Sequence, residues 1–315
     1  MLPNNNKAII NKLAKNSVKT NKKQYAILFF TIILSSFMLF CVFTIGMTYL
    51  DSSRLQTTRL NGAEYDIAAM NGFTSEQLNT LRQNEHIQSV GMESYAGFIQ
   101  STEYDETVEV GLLWCDEVFW DNLMAPARTK LDVHYPQNKN ELMVTKDILK
   151  TCGNENLSVG DSLILTYENN TGVYTDEFII SGIWDGYGDT SAGFVSKAFY
   201  NETGYDLKND GIICIKLNRN YVFPATIQSI EKSLDFSDRQ IFAPTGYIEN
   251  SFKLLLGICG LALVICLSAY LLIYNILYLS VSGKIRYYGL LQSLGMTKKQ
   301  LIRFIAKQMM IVGIL

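Results

Sequence analysis

Histidine is scarce in this chain, and its scarcity narrows the chemistry that the sequence can support. The two histidines, His86 and His134, stand far apart, and neither has Cys, Asp or Glu around it at the spacing of a zinc ligand set. The sequence also lacks the GxSxG, Ser-x-x-Lys and HExxH motifs of hydrolases and the GxxxxGKS/T loop that binds nucleotide phosphates. It therefore predicts no catalytic residue, no metal site and no cofactor site, and we expect that the chain is not an enzyme by itself.

Cysteine is present, but not in a pattern that would build a disulfide framework. Three of the six cysteines lie inside long apolar stretches. The other three, Cys115, Cys152 and Cys214, are widely spaced and odd in number. We interpret them as small buried hydrophobic side chains, and the sequence leaves open whether any two of them pair.

Acidic residues are missing from both ends of the chain. All 30 Asp and Glu lie between Asp51 and Glu249, where 14 Lys and Arg accompany them, so this segment has a formal charge of −16. Residues 1–24 carry six Lys and no acid, and residues 282–308 carry six basic residues and no acid. Short basic segments stay on the cytoplasmic side of a membrane. The charge distribution therefore predicts that both basic segments are cytoplasmic and that the acidic segment lies outside.

Long uncharged apolar runs are what the sequence has in excess. Tyr25–Leu50 contains no charged residue across 26 positions, and Leu254–Val281 contains none across 28. Both exceed the roughly 20 apolar residues that a spanning helix needs. The first run is nearly twice as long as the apolar core of a cleaved signal peptide. We therefore predict two membrane spans and the start of a third at Met309.

The predicted organisation has six parts, in a membrane protein of transmembrane α-helices and an extracytoplasmic two-lobed α+β domain. The N-terminal helix is expected either to lie on the inner leaflet or simply to supply the positive charge that fixes orientation. The parts are a basic amphipathic cytoplasmic helix (1–24), a first span (25–50), the extracytoplasmic domain (51–250), a stalk with the second span (251–281), a cytoplasmic coupling connector (282–308) and the start of a third span (309–315).

The extracytoplasmic segment alternates strand and helix patterns. An early and a late βαβ unit are expected to flank a strand-rich insert at about residues 140–208. The early helix has a capping-box pattern, Thr74-Ser75-Glu76-Gln77. The predicted elements are strands at Tyr65–Met70, Ile87–Gln100, Thr107–Trp114, Glu141–Thr145, Ser162–Tyr167, Tyr174–Ile183, Gly211–Leu217 and Arg239–Phe242, and helices at Thr74–Asn84, Asp116–Met124 and Phe223–Leu234.

The connector has a pattern of its own. A helix over its first half would place an apolar stripe, Ile285, Tyr288, Leu291 and Leu294, along one side. Gly295 is a natural helix stop, and Thr297 is a natural cap for a second helix. A short helix with an apolar edge is typical of a segment that enters a partner's groove. Taken alone, the pattern also fits a helix that rests on lipid.

The connector resembles that of FtsX-like ABC transporter permeases, the group that includes MacB-type transporters and antimicrobial-peptide resistance permeases. Its sequence, YYGLLQSLGMTKKQLIRFIAKQMMIVGIL, has the GLL/LLxxLGM core followed by TKKQ-like residues. The stretch KNSVKTNKKQYAILFFTIILS resembles the basic entry to the family's first span. In the acidic segment, ELMVTKDILK, SVGDSLILT and FIISGIWDG resemble the family's extracytoplasmic core domain.

The resemblance implies a mechanism and partners. Two permease units are expected to sit on a cytoplasmic ABC ATPase dimer, which would hold the ATP and Mg, and nucleotide-driven closure would move the stalks and outer domains. Family members have four or more spans, so the chain is expected to be a fragment or half of a split permease. An aromatic and apolar contact is expected, because Tyr287-Tyr288 replaces the acidic residue that often precedes the GLL core. The implied contact residues are Tyr288, Gly289, Leu290, Leu291, Leu294, Gly295, Met296 and Thr297.

These expectations leave several functions open. A permease for export of, or resistance to, peptides or antibiotics is the leading interpretation, placed in a bacterial cell membrane as a multi-pass protein without a nucleic-acid partner. The −16 segment would attract cationic peptides by long-range steering. The alternatives are lipid or lipoprotein handling, an FtsX-type regulator of cell-wall hydrolases, and a transmembrane sensory receptor. The receptor interpretation is weakened because apolar sequence resumes at Met309, leaving no sizeable inner domain.

Overall fold

The computed structural model describes residues 7–100, 110–187 and 192–314. The chain divides into two units, which we call the helical unit (Met1–Tyr49 and Leu255–Leu315) and the sheet unit (Leu50–Leu254). In chain order the elements are α1 (Lys7–Thr20), α2 (Lys22–Asn61), β1 (Ile67–Met70), α3 (Ser75–Gln83), β2 (Ile87–Ile99), β3 (Val110–Cys115), β4 (Lys130–Val133), β5 (Glu141–Thr145), α4 (Lys146–Thr151), β6 (Ser162–Asn169), β7 (Gly172–Asp185), β8 (Ala192–Val195), α5 (Lys197–Tyr200), β9 (Ile212–Leu217), α6 (Pro224–Lys232), β10 (Ile241–Pro244), α7 (Gly246–Ser282), α8 (Ile285–Ser293) and α9 (Lys298–Ile314).

Within the described residues, α2 and α7 are the two helices long and apolar enough to cross a membrane. Their large apolar side chains are mostly exposed; Phe30, Phe40 and Leu263, for example, are 66%, 67% and 66% exposed. A core helix of a soluble protein would bury such side chains, and a soluble protein rarely exposes so large an apolar surface to water. This exposure favours a lipid environment for both helices.

The two long helices pack closely at one glycine. A Cβ atom added at Gly46 of α2 would lie 2.6 Å from Cδ1 of Ile258 on α7. A small residue at such a crossing lets two helix backbones approach each other, as is common between membrane helices. The same two helices also pack together near the N-terminal end of α2. There, Tyr25 and Leu28 of α2 are buried against apolar side chains that include Ile273 and Leu277 of α7.

The sheet unit contains one ten-stranded mixed sheet. Its order is β10-β1-β9-β2-β3-β8-β5-β7-β4, and β6 pairs with both β2 and β7. Strands β10, β1, β9 and β2 are antiparallel neighbours, α3 connects β1 to β2, and α6 connects β9 to β10. This is a split β-α-β arrangement, in which each βαβ crossover leaves room for a strand from the other. The predicted fold class, spanning-length helices flanking an α+β domain, is confirmed.

Separate apolar cores lie along this sheet. One core packs α3 and α6 on the split β-α-β strands and includes Ile67, Leu81 and Ile230. Another contains Leu142 and Phe178 together with Leu112 of β3 and the end of β2. The core of the lobe predicted at about residues 140–208 therefore also contains side chains that precede this range in sequence. The reason is that β2 is 13 residues long and runs through both lobes.

Local sequence signals explain several element boundaries. The predicted capping box is confirmed, since Gln77 N–H donates to Thr74 Oγ1 at 3.2 Å and Thr74 N–H donates to Gln77 Oε1 at 3.0 Å. The turn between β6 and β7 is held by Asn169 Oδ1, which accepts the backbone N–H of Thr171 at 2.8 Å. The predicted helix over Asp116–Met124 is a π-helical turn at Phe119–Leu123. The predicted strand at Thr107–Trp114 begins at Val110, and its first three positions lie outside the described residues.

Candidate functional site

The connector folds as two helices, α8 and α9, joined by a tight turn. Gly295 sits in the turn with φ +99°, a left-handed conformation that glycine adopts at little cost. The N–H of Gly295 donates to the carbonyl of Gln292 at 3.0 Å, and the N–H of Met296 donates to the carbonyl of Leu291 at 3.0 Å. These two bonds satisfy carbonyls at the end of α8, as in a Schellman-type helix ending.

The start of α9 is fixed by a second capping box. Gln300 N–H donates to Thr297 Oγ1 at 3.3 Å, and Thr297 N–H donates to Gln300 Oε1 at 2.9 Å. The reciprocal pair satisfies donors that a helix start otherwise leaves unpaired. The Gly-Met-Thr corner is therefore defined by hydrogen bonds at both of its ends.

Two of the predicted contact residues face into the helical unit. Tyr288 is 7% exposed and lies in a cluster with Ile10 and Ala14 of α1 and Phe304 of α9. Leu291 is half-buried against the same cluster. The ring centroids of Tyr288 and Phe304 are 6.5 Å apart in an edge-to-face arrangement, which aromatic pairs prefer. These two side chains anchor α8 on its neighbours within the helical unit.

The other predicted contact residues form an exposed edge. Leu290 and Leu294 are 59% and 77% exposed and lie one helical turn apart. Gly289, Gly295 and Thr297 are exposed as well, and Met296 is half-buried. The apolar stripe read from the sequence therefore splits: Ile285 and Leu294 are exposed, whereas Tyr288 and Leu291 are inside.

Tyr287 is an exposed aromatic side chain of this helix that the predicted contact residues did not include. Tyr287 is 41% exposed and is the neighbour of the buried Tyr288. The sequence showed Tyr287-Tyr288 together in place of an acidic residue, but the contact residues implied by the resemblance included only Tyr288. Only the packing of α1 and α9 separates the two tyrosines.

Helix α1 supports the connector from inside. Its residues Ile10 and Ala14 are buried against Tyr288 and Phe304, and Lys307 Nζ of α9 donates a hydrogen bond to Asn11 Oδ1. The apolar side of α1, which was expected to lie on the inner leaflet, therefore packs at least partly against α8 and α9. The outer surface of α8 and α9 remains basic, with Arg286, Lys298, Lys299 and Arg303 exposed.

The sheet unit contains buried ionisable groups of another kind. Glu93 is half-buried on β2, and the thiol of Cys214 on β9 donates to Glu93 Oε1 at a distance of 3.8 Å. Burial raises the pKa of Glu93 to about 7 and the pKa of Asp66 to about 6. Asp66 accepts the backbone N–H of Leu217 at 2.8 Å, which indicates a structural role. In the part of the chain that the structure describes, no group of three or more His, Cys, Asp or Glu could hold a metal ion.

The cysteines of the sheet unit are not paired with one another. Cys115 and Cys214 are buried, Cys152 is half-buried, and all three are free thiols. Burial raises the pKa of each of them, which disfavours the reactive thiolate. This placement agrees with their interpretation as small hydrophobic side chains.

Comparisons with known proteins found similar solved structures and a matching family model. Similar solved structures include the periplasmic region of MacB from Actinobacillus actinomycetemcomitans, at 13% identity and a TM-score of 0.40, covering 62% of this chain and 95% of that one. They also include the extracellular domain of the noncanonic ABC-type transporter YknZ from Gram-positive bacteria, at 12% identity and a TM-score of 0.37, covering 56% of this chain and 98% of that one. The search of curated proteins found no match.

The connector itself is covered by a family model. The model described as FtsX-like permease C-terminal matches residues 259–315, which include most of α7 and all of α8 and α9. Proteins with this region are membrane subunits of transporters and not themselves enzymes. The resemblance of the connector is thereby confirmed, since residues 259–315 match the model of the FtsX-like permease C-terminal region.

Proposed function

We propose that this chain is a permease subunit of an ABC transporter of the FtsX/MacB type, which couples ATP hydrolysis by a partner ATPase to movement of its extracytoplasmic domain. The main support is the connector. Within the family-matched region, a turn fixed by hydrogen bonds presents Leu290 and Leu294 to the outside, although both are large apolar side chains. Burying such a leucine in a partner's groove stabilises a complex by about 1.5–3 kcal/mol.

The proposed contact is the exposed edge, with the inward residues as its support. Leu290, Leu294 and Thr297, together with Gly289, Gly295 and Met296, would meet the ATPase. Tyr288 and Leu291 would act indirectly, because their packing on α1 and α9 sets the position of α8. The ATPase would bind ATP and Mg, and this chain would bind neither.

Transmission would use the long helices. Helix α7 has no break between Gly246 and Ser282, and α2 has none between Lys22 and Asn61. An unbroken helix held by side-chain packing can move as one body when one end is displaced. Movement of the connector would therefore be carried along α7 toward the extracytoplasmic side. A second permease copy would pair with this chain in the transporter.

The proposed cargo is a cationic peptide or a peptide-like antibiotic. Support comes from charge, since all 30 Asp and Glu lie between Asp51 and Glu249 and only 14 Lys and Arg accompany them there. A domain of such charge attracts cationic molecules over distances set by the ionic strength. The charge does not select one peptide over another.

The ATPase contact can be tested by affinity purification of the tagged full-length chain from its own host. Leu290→Asp with Leu294→Asp is expected to lower recovery of a co-purifying ATPase, identified by peptides that contain a GxxxxGKS/T loop, by at least about tenfold, because it places two charges in an apolar contact. Gln292→Asp with Ser293→Asp is the matched control, since it adds the same two charges to exposed positions of the same helix. Equal recovery with both double variants would contradict the proposed contact.

A further inference from the structure

Three polar residues at the edges of the apolar segments meet in the helical unit. Tyr25 is the first residue of the first apolar run, Lys284 follows the second run closely, and Gln308 directly precedes the third. The hydroxyl of Tyr25 donates to Gln308 Oε1 at 2.9 Å. Lys284 Nζ lies 5.6 Å from the centre of the Tyr25 ring. The fold thus places three sequence-distant residues in one cluster at the boundary between apolar and basic sequence.

Two donors in this cluster have no acceptor. Lys284 Nζ and Gln308 Nε2 are buried atoms that make no hydrogen bond to any residue that the structure describes. Gln308 is only 1% exposed, so its amide is well inside the unit. A buried donor without a partner is costly, and a charged one more so. The face of Tyr25 offsets part of this cost by a cation–π contact.

The helical unit has no side chain that could neutralise Lys284. Every Asp and Glu of the chain lies between Asp51 and Glu249, which is outside both segments of this unit. Burial also lowers the pKa of the Lys284 ammonium group. Because a buried cation is normally paired, the missing counter-charge points to an anion from another molecule.

We propose that Lys284 binds the phosphate of an anionic phospholipid in the cytoplasmic leaflet. The position along the helices identifies the ligand: the ends of apolar spans lie at the level of the lipid headgroups, where basic residues attract anionic lipids. Lys284, which is half-buried, would supply the charge, and its contact with the Tyr25 ring would hold it in place. The inference rests on the membrane placement in the proposed function, but not on the ATPase contact.

Native mass spectrometry of the purified full-length chain in detergent, titrated with lipid, tests this site. Phosphatidylglycerol, phosphatidylcholine and inorganic phosphate serve as the three probes. The wild-type chain is expected to retain phosphatidylglycerol in preference to phosphatidylcholine. Lys284→Gln should weaken phosphatidylglycerol binding by about tenfold, the effect of losing one charge-assisted hydrogen bond. Lys299→Gln is the matched control, because it removes an exposed lysine of the same connector.

Each other outcome would overturn the proposal. Undiminished phosphatidylglycerol binding by Lys284→Gln would exclude this site, and so would loss of the preference in Lys284→Arg, which keeps the charge. Displacement of the lipid by inorganic phosphate at equal concentration would indicate a site for free anions. If Lys284→Gln binds lipid normally but loses the ATPase, a carboxylate of the partner supplies the counter-charge.

The lipid site and the ATPase contact can fail separately. Retained lipid binding in Leu290→Asp with Leu294→Asp, together with equal ATPase recovery in that variant and its control, would overturn the ATPase contact alone. A chain that does not enter the membrane fraction would overturn the shared premise.

Discussion

The carboxyl group of Glu93 is one of the groups that make the stability of the sheet unit depend on pH. Burial raises the pKa of Glu93 from 4.5 to about 7, so the folded chain holds a proton that the unfolded chain has lost between these values. Stability from this group is therefore greatest below about pH 4.5 and falls as the pH rises toward about 7. Above that range the folded state contains a half-buried carboxylate next to the thiol of Cys214.

We expect Glu93→Gln to stabilise the sheet unit at pH 8, because glutamine stays neutral in the same space. The gain in free energy of unfolding should be on the order of 1–3 kcal/mol at pH 8 and should disappear near pH 4. Tryptophan fluorescence during chemical unfolding of the full-length chain is a suitable measurement, since Trp114, Trp120 and Trp184 all lie in the sheet unit.

The exposed Glu117 provides the control for this measurement. Glu117→Gln makes the same chemical change without burial, so it should leave the dependence of stability on pH as it is in the wild type. A parallel pH dependence in Glu93→Gln and the wild type would show that the fold does not raise the pKa of Glu93.

Single residues of the connector also show that a sequence pattern does not predict which side chains of an apolar stripe are buried. Helical periodicity predicted an apolar stripe through Tyr288 and Leu294, and the structure separates these two residues. Tyr288 is covered by α1 and α9, whereas Leu294 is 77% exposed. Periodicity reports which residues share a helix face, but not whether that face meets the same chain or a partner. The covering residue Ile10 is far away in sequence, so no local signal could have revealed it.

At the scale of elements, the turn between α8 and α9 depends on one glycine. Gly295 has φ +99°, and a Cβ atom added there would meet no other atom within 4 Å. Any cost of substitution therefore comes from backbone conformation and not from a clash. The sequence predicted this stop and the following Thr297 cap, because glycine endings and threonine caps are local signals.

We expect Gly295→Ala to destabilise the connector by about 1–2 kcal/mol, the cost of a left-handed conformation for a residue with a side chain. Gly289→Ala is the matched change, since Gly289 lies inside α8 with no atom within 4 Å of an added Cβ. Alanine within a helix is favoured over glycine by about 0.5–1 kcal/mol, so this variant should be stabilised. The rate of limited proteolysis between Leu290 and Lys298 in the purified chain measures both effects. Similar rates for the two variants would contradict the described turn.

The whole molecule separates its charges and its folds into two units. The sheet unit contains every acidic residue, and the helical unit combines basic segments with apolar helices. This division was predictable from the sequence, because charge and long apolar runs are properties of contiguous segments. The single ten-stranded sheet was not, since β1 pairs with β9 and β10 from the other end of the acidic segment. Such long-range pairing leaves no trace in local periodicity.

For the whole molecule, we propose above all that the connector contacts the ATPase. Photo-crosslinking in intact cells tests it most directly, with a photoreactive residue at Leu294 in one variant and at Tyr288 in another. We expect an adduct between position 294 and a cytoplasmic ATPase, and only products within the chain from position 288. An ATPase adduct from position 288, or lipid adducts alone from position 294, would contradict it.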